Sequence, residues 1–332
     1  MNRVHLITYI SLLFGNISCI AQTQNKMDTN NSLLCNPENG VCEMPTIKNN
    51  KNQFSNITSS TKPVKVIYFT DPICSSCWVI EPQLRKLKLE YGDDVEIDYR
   101  MGGLLPDWSY NNGGISKPSD VAHHWDEVSV YYDMPIDGDV WLEDPLSSSY
   151  PPSIAFKAAQ MQDKNKAILF LRAIREMVFI QKKNITKWEN IYSAAKNVGL
   201  DVMQFKNDFE GPAKQLFEDD LVLSRSLGVR GFPTLFFTNT EGKKEMVFGS
   251  KPYAALVSAL ATVYPNAQTK AYDTSWKAIF EKYPSLTAKE FSILTNTPRN
   301  ECESILSKLV AKGHLTEVKT KNGSIWQNKF QY

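Results

Sequence analysis

The stretch that decides the fold is FTDPICSSCWVIEP, which runs from Phe69 to Pro82. Two cysteines, Cys74 and Cys77, lie three positions apart between an apolar run and a segment with helical spacing. The run before them, VKVIYFT from Val64, is short, β-branched and aromatic, and it predicts a buried strand. The cysteine pair is therefore expected at a strand-to-helix junction, where it could be a redox centre, half of a metal site or neither.

The segment after the cysteine pair predicts a βαβ unit. Its helix is expected to end at Gly92, and Pro82 within that helix should kink it because proline removes one backbone donor. A second strand follows in DVEIDYRMGG and ends at the glycine pair 102–103. Asp71, in the turn before the helix, is expected to form that turn or cap the helix, with a role in proton transfer as the weaker alternative.

A long insertion separates this unit from the rest of its sheet. The next strand pattern is TLFFTNT, residues 234–240, followed by the strand KEMVFGS and a helix over about 252–263. Between them, about 104–228, the chain is first rich in Gly, Pro, Asp and aromatic residues and then has helical spacing from 154 to 227. Three tryptophans in the first part are expected to pack in the core rather than to line a peptide groove: Trp108, Trp125 and Trp141.

The position of the first cysteine favours redox chemistry. A cysteine at the first turn of a helix faces unpaired N–H groups and the positive end of the helix dipole, which stabilise the thiolate. At pH 7 a thiol of pKa about 8.5 is only about 3% ionised, and one of pKa about 6 is about 90% ionised. The sequence therefore predicts that Cys74 attacks a disulfide and that Cys77, one turn later, resolves the mixed disulfide.

Taken with VRGFPT at 229–234, just before another strand, the C-x-x-C unit resembles the thioredoxin superfamily, and within it the DsbA-like branch with a helical insertion. DPICSSCWVIEPQL and MGGLLPDW are similar to the FrnE-like and SpxH-like subgroup. The resemblance covers about 64–263. It implies that Pro233 is a cis-proline beside the cysteine pair, and it implies that three residues contact the substrate: Phe232, Thr234 and Trp78.

The resemblance implies an α/β fold, thioredoxin-like with a large α-helical insertion, and thiol–disulfide exchange in protein substrates with a redox partner and no cofactor. Members of the subgroup also include adaptors that deliver a client to a protease, so a non-catalytic adaptor that senses redox state or binds zinc is the second hypothesis. Residues 75–76 are both serine, where typical DsbA proteins have a pair that includes histidine. The direction of electron flow therefore stays open.

The N-terminus predicts export. Residues 1–21 contain one arginine, an apolar run and small residues ending at Ala21, as in a secretory signal, and no stable membrane span is expected after its cleavage. Lipidation at Cys19 is disfavoured because Asn16 lies where an aliphatic residue is needed. Translation from Met27 would instead give a cytoplasmic protein.

Residues 22–62 predict a flexible leader, rich in Asn, Lys, Ser and Thr. Within it, CNPENGVC contains two turn dipeptides that bring Cys35 near Cys42. Two uses of this pair stay open: a redox relay or cap that exchanges disulfides with the active site, and a four-thiolate zinc site shared with the C-x-x-C pair. A second metal candidate is disfavoured because adjacent helical side chains diverge by about 100°: His123, His124 and Glu127.

The last segment, 271–332, predicts a separate winged-helix-like α+β domain that ends in a hairpin at Asn322–Gly323. The whole chain has 37 basic and 36 acidic residues, and no global charge draws it to nucleic acid or to an anionic membrane. From residue 264 onward ten basic residues face six acidic ones, which is mild for a DNA-binding domain. Three lysines near the wing are the candidates for phosphate contacts: Lys319, Lys321 and Lys329. Cys302 is expected to be a buried helix residue without redox chemistry.

Overall fold

The computed structural model describes residues 35–36, 38–43, 60–110 and 117–329. The predicted signal segment 1–21 and the start at Met27 lie outside these residues, as does the leader apart from a short piece around Cys42 and its last three residues. Among the described helices, none combines the length and the apolar character that a bilayer span requires.

Numbered along the chain, the strands are β1 (Cys35–Asn36), β2 (Val41–Glu43), β3 (Val64–Thr70), β4 (Val95–Met101), β5 (Gly231–Phe232), β6 (Thr234–Asn239), β7 (Lys244–Phe248), β8 (Ser285–Thr287), β9 (Leu315–Thr320) and β10 (Gly323–Asn328). The helices are α1 (Ser75–Val79), α2 (Glu81–Tyr91), α3 (Pro118–Tyr132), α4 (Val140–Glu143), α5 (Tyr150–Gln162), α6 (Lys164–Phe179), α7 (Trp188–Asn197), α8 (Val202–Glu210), α9 (Ala213–Ser226), α10 (Tyr253–Val263), α11 (Trp276–Lys282), α12 (Ala288–Thr295) and α13 (Arg299–Ala311).

The central sheet has four strands in the order β4-β3-β6-β7. β3 is parallel to β4 and antiparallel to β6, so that Ile67 lies beside Asp98 on one side and Phe236 on the other. β3 has an almost continuous apolar sequence because it is buried along nearly its whole length. The predicted βαβ unit and the thioredoxin-like sheet are both present.

The helix after the cysteine pair is broken, not kinked. α1 ends at Val79, Ile80 interrupts it, and α2 begins at Glu81 with Pro82 in its first turn. A proline is tolerated there because the first backbone N–H groups of a helix have no partner within it. Pro82 therefore starts a new helix beneath the cysteine pair.

The insertion between β4 and β5 contains α3 to α9. Its first part, which is rich in Gly, Pro, Asp and aromatic residues, contains the 15-residue helix α3. Its second part is helical as predicted, and α6 is largely buried, through residues such as Phe170, Ile174 and Phe179. α6 also brings Arg172 and Arg175 into the protein interior.

The described part of the leader is an ordered hairpin, which corrects the prediction of a flexible segment. β1 and β2 pair antiparallel with Cys35 opposite Cys42, as the turn dipeptides predicted. β2 also pairs with β5, and a second small sheet β1-β2-β5 results. Composition indicated flexibility because the contacts that order this hairpin come from residues about 190 positions later.

The C-terminal elements follow the order α11, β8, α12, α13, β9, β10, with a three-stranded antiparallel sheet β8-β10-β9. This is the winged-helix-like arrangement that the sequence predicted, with β8 added. The hairpin turns at residues 321–322, since Thr320 pairs with Gly323. These elements have their own apolar core, which includes Phe280, Phe291 and Cys302, and Leu89 of α2 joins it.

The two parts of the chain are held together by buried charges. Glu290 of α12 accepts hydrogen bonds from Arg172 at 2.8 and 3.0 Å and lies 3.1 Å from Arg85 Nη1. The Glu290 carboxylate is fully buried, and its pKa is lowered because the attraction of Arg172 and Arg85 outweighs the effect of burial. α2, which follows the cysteine pair, is thus tied directly to the C-terminal core.

Candidate active site

The cysteine pair lies at the C-terminal end of β3. Cys74 is the residue before α1, and its Sγ accepts a hydrogen bond from the Cys77 backbone N–H at 3.1 Å. Both cysteines are free thiols, and neither has solvent-exposed area. The predicted strand-to-helix junction is therefore present, but the thiols are covered.

A cis-peptide bond joins Phe232 to Pro233, as the resemblance implied. Thr234 donates its hydroxyl to Gly231 O at 2.7 Å, which stabilises the turn around the proline. The Phe232 ring packs against Gly102, where a Cβ atom would lie only 1.8 Å from the ring. Gly102 is therefore required for this close packing of the two segments, and the Phe232 side chain belongs to the core.

The leader hairpin covers the thiols. Cys42 pairs with Phe232 in an antiparallel register, and its Sγ lies 3.2 Å from Cys74 Sγ. Cys42 is disulfide-bonded, and Cys35 is the residue opposite it in the hairpin. Cys42 of the leader and the C-x-x-C pair therefore meet at one site.

The turn between β3 and α1 is organised by Asp71. Its carboxylate accepts hydrogen bonds from Ile73 N at 3.0 Å, Leu104 N at 2.7 Å and Ser149 Oγ at 2.8 Å. Burial raises the pKa of Asp71 to about 6, although these hydrogen bonds act in the opposite direction. The turn role preferred from the sequence is present, and the carboxyl also joins the cysteine turn to the insertion.

Arg175 of α6 is a charged group beneath the cysteines that the sequence analysis missed. It is fully buried, donates to Thr70 Oγ1 at 2.6 Å and to the Asp71 carbonyl at 3.2 Å, and pairs with Glu81. An arginine among apolar residues in AILFLRAIREMVFI was the available signal, because a buried charge requires partners. Arg175 lies about 100 residues from these partners in the sequence, so a local pattern does not identify them.

The pKa values of the two thiols differ from the prediction. Burial raises the pKa of Cys74, and the neighbouring Cys77 and Asp71 raise it further. Burial also acts to raise the pKa of Cys77, but the hydrogen bond from Cys74, the Arg175 charge and Thr70 lower it overall. The expected low pKa of Cys74 is therefore wrong for this conformation, because the hairpin removes the sulfur from water.

Comparison with known proteins supports this architecture. The family model described as "Thioredoxin" matches residues 68–258. A protein of Halalkalibacterium halodurans named ClpXP adapter protein SpxH is 35% identical over 304 residues, which is 90% of this chain and 97% of that protein. The chain belongs to the thioredoxin family.

Two further comparisons differ in the part of the chain they cover. The Bacillus subtilis protein of the same name is 29% identical over 82% of this chain and 91% of its own. A solved structure from Nitrosomonas europaea, assigned as a protein disulfide isomerase, aligns with a TM-score of 0.53 at 21% identity over 60% of this chain and 97% of its own. This last likeness supports the thioredoxin fold.

Trp78, expected to contact substrate in this thioredoxin-family protein, is instead a core residue. It has no exposed area, stacks on Phe179 at 5.6 Å and donates to Pro135 O at 3.0 Å. The Arg172 guanidinium lies 4.2 Å from its ring centre. Trp125 and Trp141 are also buried and pack edge to face, as expected, and Trp108 packs on Trp141.

The sequence offered two candidate metal sites, the His123, His124 and Glu127 group and a zinc site shared by the two cysteine pairs. His123 is 81% exposed and lies 3.1 Å from Glu127, whereas His124 is buried, with a pKa lowered to about 4 chiefly by burial. The two imidazoles differ in exposure, although both lie within 4 Å of the Glu127 carboxylate. In the shared zinc hypothesis Cys42 would need a free thiolate, and here its sulfur is committed to a disulfide.

The lysines near the wing differ in their surroundings. Lys321 pairs with Asp126 at 2.7 Å and also contacts Asp139, so it fastens the wing to the insertion of the thioredoxin domain. Lys319 is 78% exposed. Lys321 is therefore engaged in ion pairs with the insertion, whereas Lys319 is open to solvent.

Proposed function

We propose that this protein is a client-binding adaptor of the SpxH kind, in which the C-x-x-C site serves as a redox-responsive element. The observation that carries the proposal is the extent of the similarity to the H. halodurans adaptor, which spans 97% of that protein. The thioredoxin-family model covers only residues 68–258, so the adaptor likeness extends into the C-terminal domain as well. The buried junction around Glu290 supports a fixed two-part scaffold for a client.

The covered thiols also support the adaptor proposal. An enzyme that acts on protein disulfides must expose its attacking sulfur and the strand edge beside the cis-proline. Here Cys74 has no exposed area and β2 occupies that edge. A client could instead bind elsewhere on the scaffold, with the thiols reporting redox state.

Protein turnover in cells tests the adaptor proposal. We expect deletion of the gene to lengthen the lifetime of one or a few proteins, measured by mass spectrometry after translation is blocked, and deletion of ClpX to lengthen the same lifetimes. The Cys74→Ser, Cys77→Ser variant should make the turnover of these proteins independent of the redox conditions, because the site can no longer form a disulfide. Unchanged lifetimes throughout the proteome would contradict the adaptor function.

The compartment is part of the same proposal. An adaptor for ClpXP must be in the compartment of that protease, which is compatible with a start at Met27 and not with export after cleavage near Ala21. Sequencing the N-terminus of the protein isolated from cells distinguishes the two. A first residue near Gln22 would exclude the adaptor and leave the exported enzyme.

The second candidate is a thiol–disulfide oxidoreductase that acts on protein thiols. The specific observation that favours it is the free C-x-x-C pair with a disulfide-bonded sulfur 3.2 Å from Cys74. Reduction of insulin disulfides in glutathione buffer tests it, with Cys74→Ala as the inactive control and Cys302→Ala, buried in the C-terminal core, as the matched control. Equal rates for the wild-type protein and the Cys74→Ala variant would exclude this activity.

A further inference from the structure

The strand edge beside the cis-proline is occupied by the protein's own chain. β2 pairs antiparallel with β5, so that Cys42 lies opposite Phe232 and Glu43 opposite Gly231. Addition of an extended segment to an open strand edge is a common way for a domain to bind a peptide, because the main-chain groups supply the affinity. The leader hairpin therefore has the place and the direction of a bound peptide.

The hairpin is seated by specific contacts. Gly40 O accepts a hydrogen bond from Ser250 N at 2.7 Å, and Val41 is fully buried. A Cβ atom on Gly249 would lie 2.2 Å from Asn39 O, and Gly249 has a φ of +85°, so this position favours glycine for two reasons. The position of the hairpin thus depends on the main-chain conformation of the hairpin and of the segment around Gly249.

The seating brings two sulfurs of different redox state together. Cys42 is disulfide-bonded, whereas Cys74 and Cys77 are free thiols. The 3.2 Å between Cys42 Sγ and Cys74 Sγ is within the range of about 3–3.5 Å expected for reacting atoms held for attack. A disulfide-bonded sulfur and a reduced pair therefore face each other within one chain.

We propose that Cys35 and Cys42 form a second redox pair that exchanges its disulfide with Cys74 and Cys77 within the same molecule. Cys74 first gives up its proton to the neighbouring Cys77 thiolate, and the Cys74 thiolate attacks Cys42 Sγ; the Cys42–Cys74 bond forms, the Cys35–Cys42 bond breaks, and Cys35 leaves as a thiolate that takes up that proton. The Cys77 thiolate then attacks Cys74 Sγ; the Cys74–Cys77 bond forms, the Cys42–Cys74 bond breaks, and Cys42 leaves as a thiolate.

The exchange is balanced without any external reagent. Two electrons move from the Cys74/Cys77 pair, which becomes a disulfide, to the Cys35/Cys42 pair, which becomes a dithiol. The reaction needs no client and no protease, so it goes beyond the adaptor function. It makes the hairpin a tethered substrate whose redox state is coupled to that of the site.

The proposal is tested first by trapping the intermediate in the full chain. In a Cys35→Ser, Cys77→Ser variant, Cys42 and Cys74 remain, and mild oxidation with diamide should link them. The matched control, Cys35→Ser with Cys74→Ser, leaves Cys42 and Cys77. Each pair then lies in two separable proteolytic peptides, and mass spectrometry of the unreduced digest gives the yield of each link.

We expect the Cys42–Cys74 link to form at least tenfold faster than the Cys42–Cys77 link. Equal rates, or a rate no greater than that of dimers linked between molecules, would overturn the proposal. In the wild-type protein, cleavage after Glu38 separates Cys35 from Cys42 and identifies which pair is oxidised. Zinc retained by the reduced protein through both pairs would also overturn it in favour of a metal site.

A second measurement does not alter any cysteine. Val41→Asp places a charge in the buried face of the hairpin and should release it, whereas Glu38→Lys changes an exposed residue of the same turn. We expect iodoacetamide to alkylate Cys74 at least tenfold faster in Val41→Asp and at the wild-type rate in Glu38→Lys. An unchanged rate in Val41→Asp would show that the hairpin does not cover the thiol. Because neither experiment includes a client, their failure leaves the adaptor proposal intact.

Discussion

Asp71 is a buried carboxyl whose ionisation should affect stability. Its pKa is about 6 in the folded protein, above the ordinary value of 3.8, so the folded state binds the proton more tightly than the unfolded state. The stabilisation that protonated Asp71 contributes is fully present below pH 3.8 and is lost as the pH rises through 6. The difference corresponds to about 3 kcal/mol.

We therefore expect the wild-type protein to gain stability relative to the Asp71→Asn variant as the pH falls from 7 to 4. Urea unfolding at several pH values measures this, and the exposed Asp219→Asn variant serves as the control. A constant difference in the free energy of unfolding between wild type and Asp71→Asn over that range would contradict the assignment.

Arg175 is the second residue with a testable electrostatic role. Its charge helps to lower the pKa of Cys77, so Arg175→Met should raise that pKa, and Arg175→Lys should raise it less because the charge remains. Thiolate absorbance at 240 nm against pH, in a Cys74→Ser background, measures the effect. Loss of the buried ion pair with Glu81 should also cost about 3–5 kcal/mol in Arg175→Met. A Cys77 titration midpoint in Arg175→Met that equals the midpoint in Arg175→Lys would exclude this role of the Arg175 charge.

At the scale of elements, α12 is joined to α2 and α6 through Glu290. Glu290→Gln removes the counter-charge of two buried arginines and should lower the free energy of unfolding by about 3–5 kcal/mol. The matched control is Glu303→Gln, an exposed i,i+4 partner of Arg299, where a change within about 0.5 kcal/mol is expected. Urea unfolding measures both, and similar effects of the two substitutions would show that the buried network is not stabilising.

The ion pairs of Glu290 also determine how the stability of the folded protein depends on pH. The pKa of Glu290 is lowered in the folded state, so its stabilising contribution is present above the ordinary glutamate pKa of 4.5 and is lost as the pH falls through the folded value. Glu290→Gln should lack this acid-sensitive part. Limited proteolysis of residues 264–275 near pH 4 should therefore accelerate in wild type and change little in the variant.

The elements with local signals could be predicted from the sequence. The C-x-x-C junction and the helices after 154 depend on residues close together in the chain, whereas the cis-proline before β6 was implied by the family resemblance. The seating of the hairpin, Arg175 beneath Cys77 and the burial of Trp78 depend on contacts between distant segments. The pKa of Cys74 was predicted in the wrong direction because helix position is a local feature, whereas burial under Cys42 is not.

At the scale of the whole molecule, the wing holds the C-terminal domain to the insertion. Lys321→Ala leaves Asp126 and Asp139 without their cation and should cost about 1–2 kcal/mol, since the side chain is partly exposed. The neighbouring Lys319→Ala should change stability by less than about 0.5 kcal/mol. Thermal unfolding compares the two, and equal effects would indicate that the wing is not fastened through Lys321.

The seated hairpin has one consequence for binding measurements. A segment tethered to its own site acts at an effective concentration that can reach the millimolar range. Any external strand must displace it, so the apparent dissociation constant of a partner at β5 includes the cost of that competition. A shortened protein beginning at residue 60 would lack the competitor and would bind such a partner more tightly than the full chain. Affinities obtained with trimmed and complete protein should therefore be compared directly, because their ratio measures how strongly the chain binds itself.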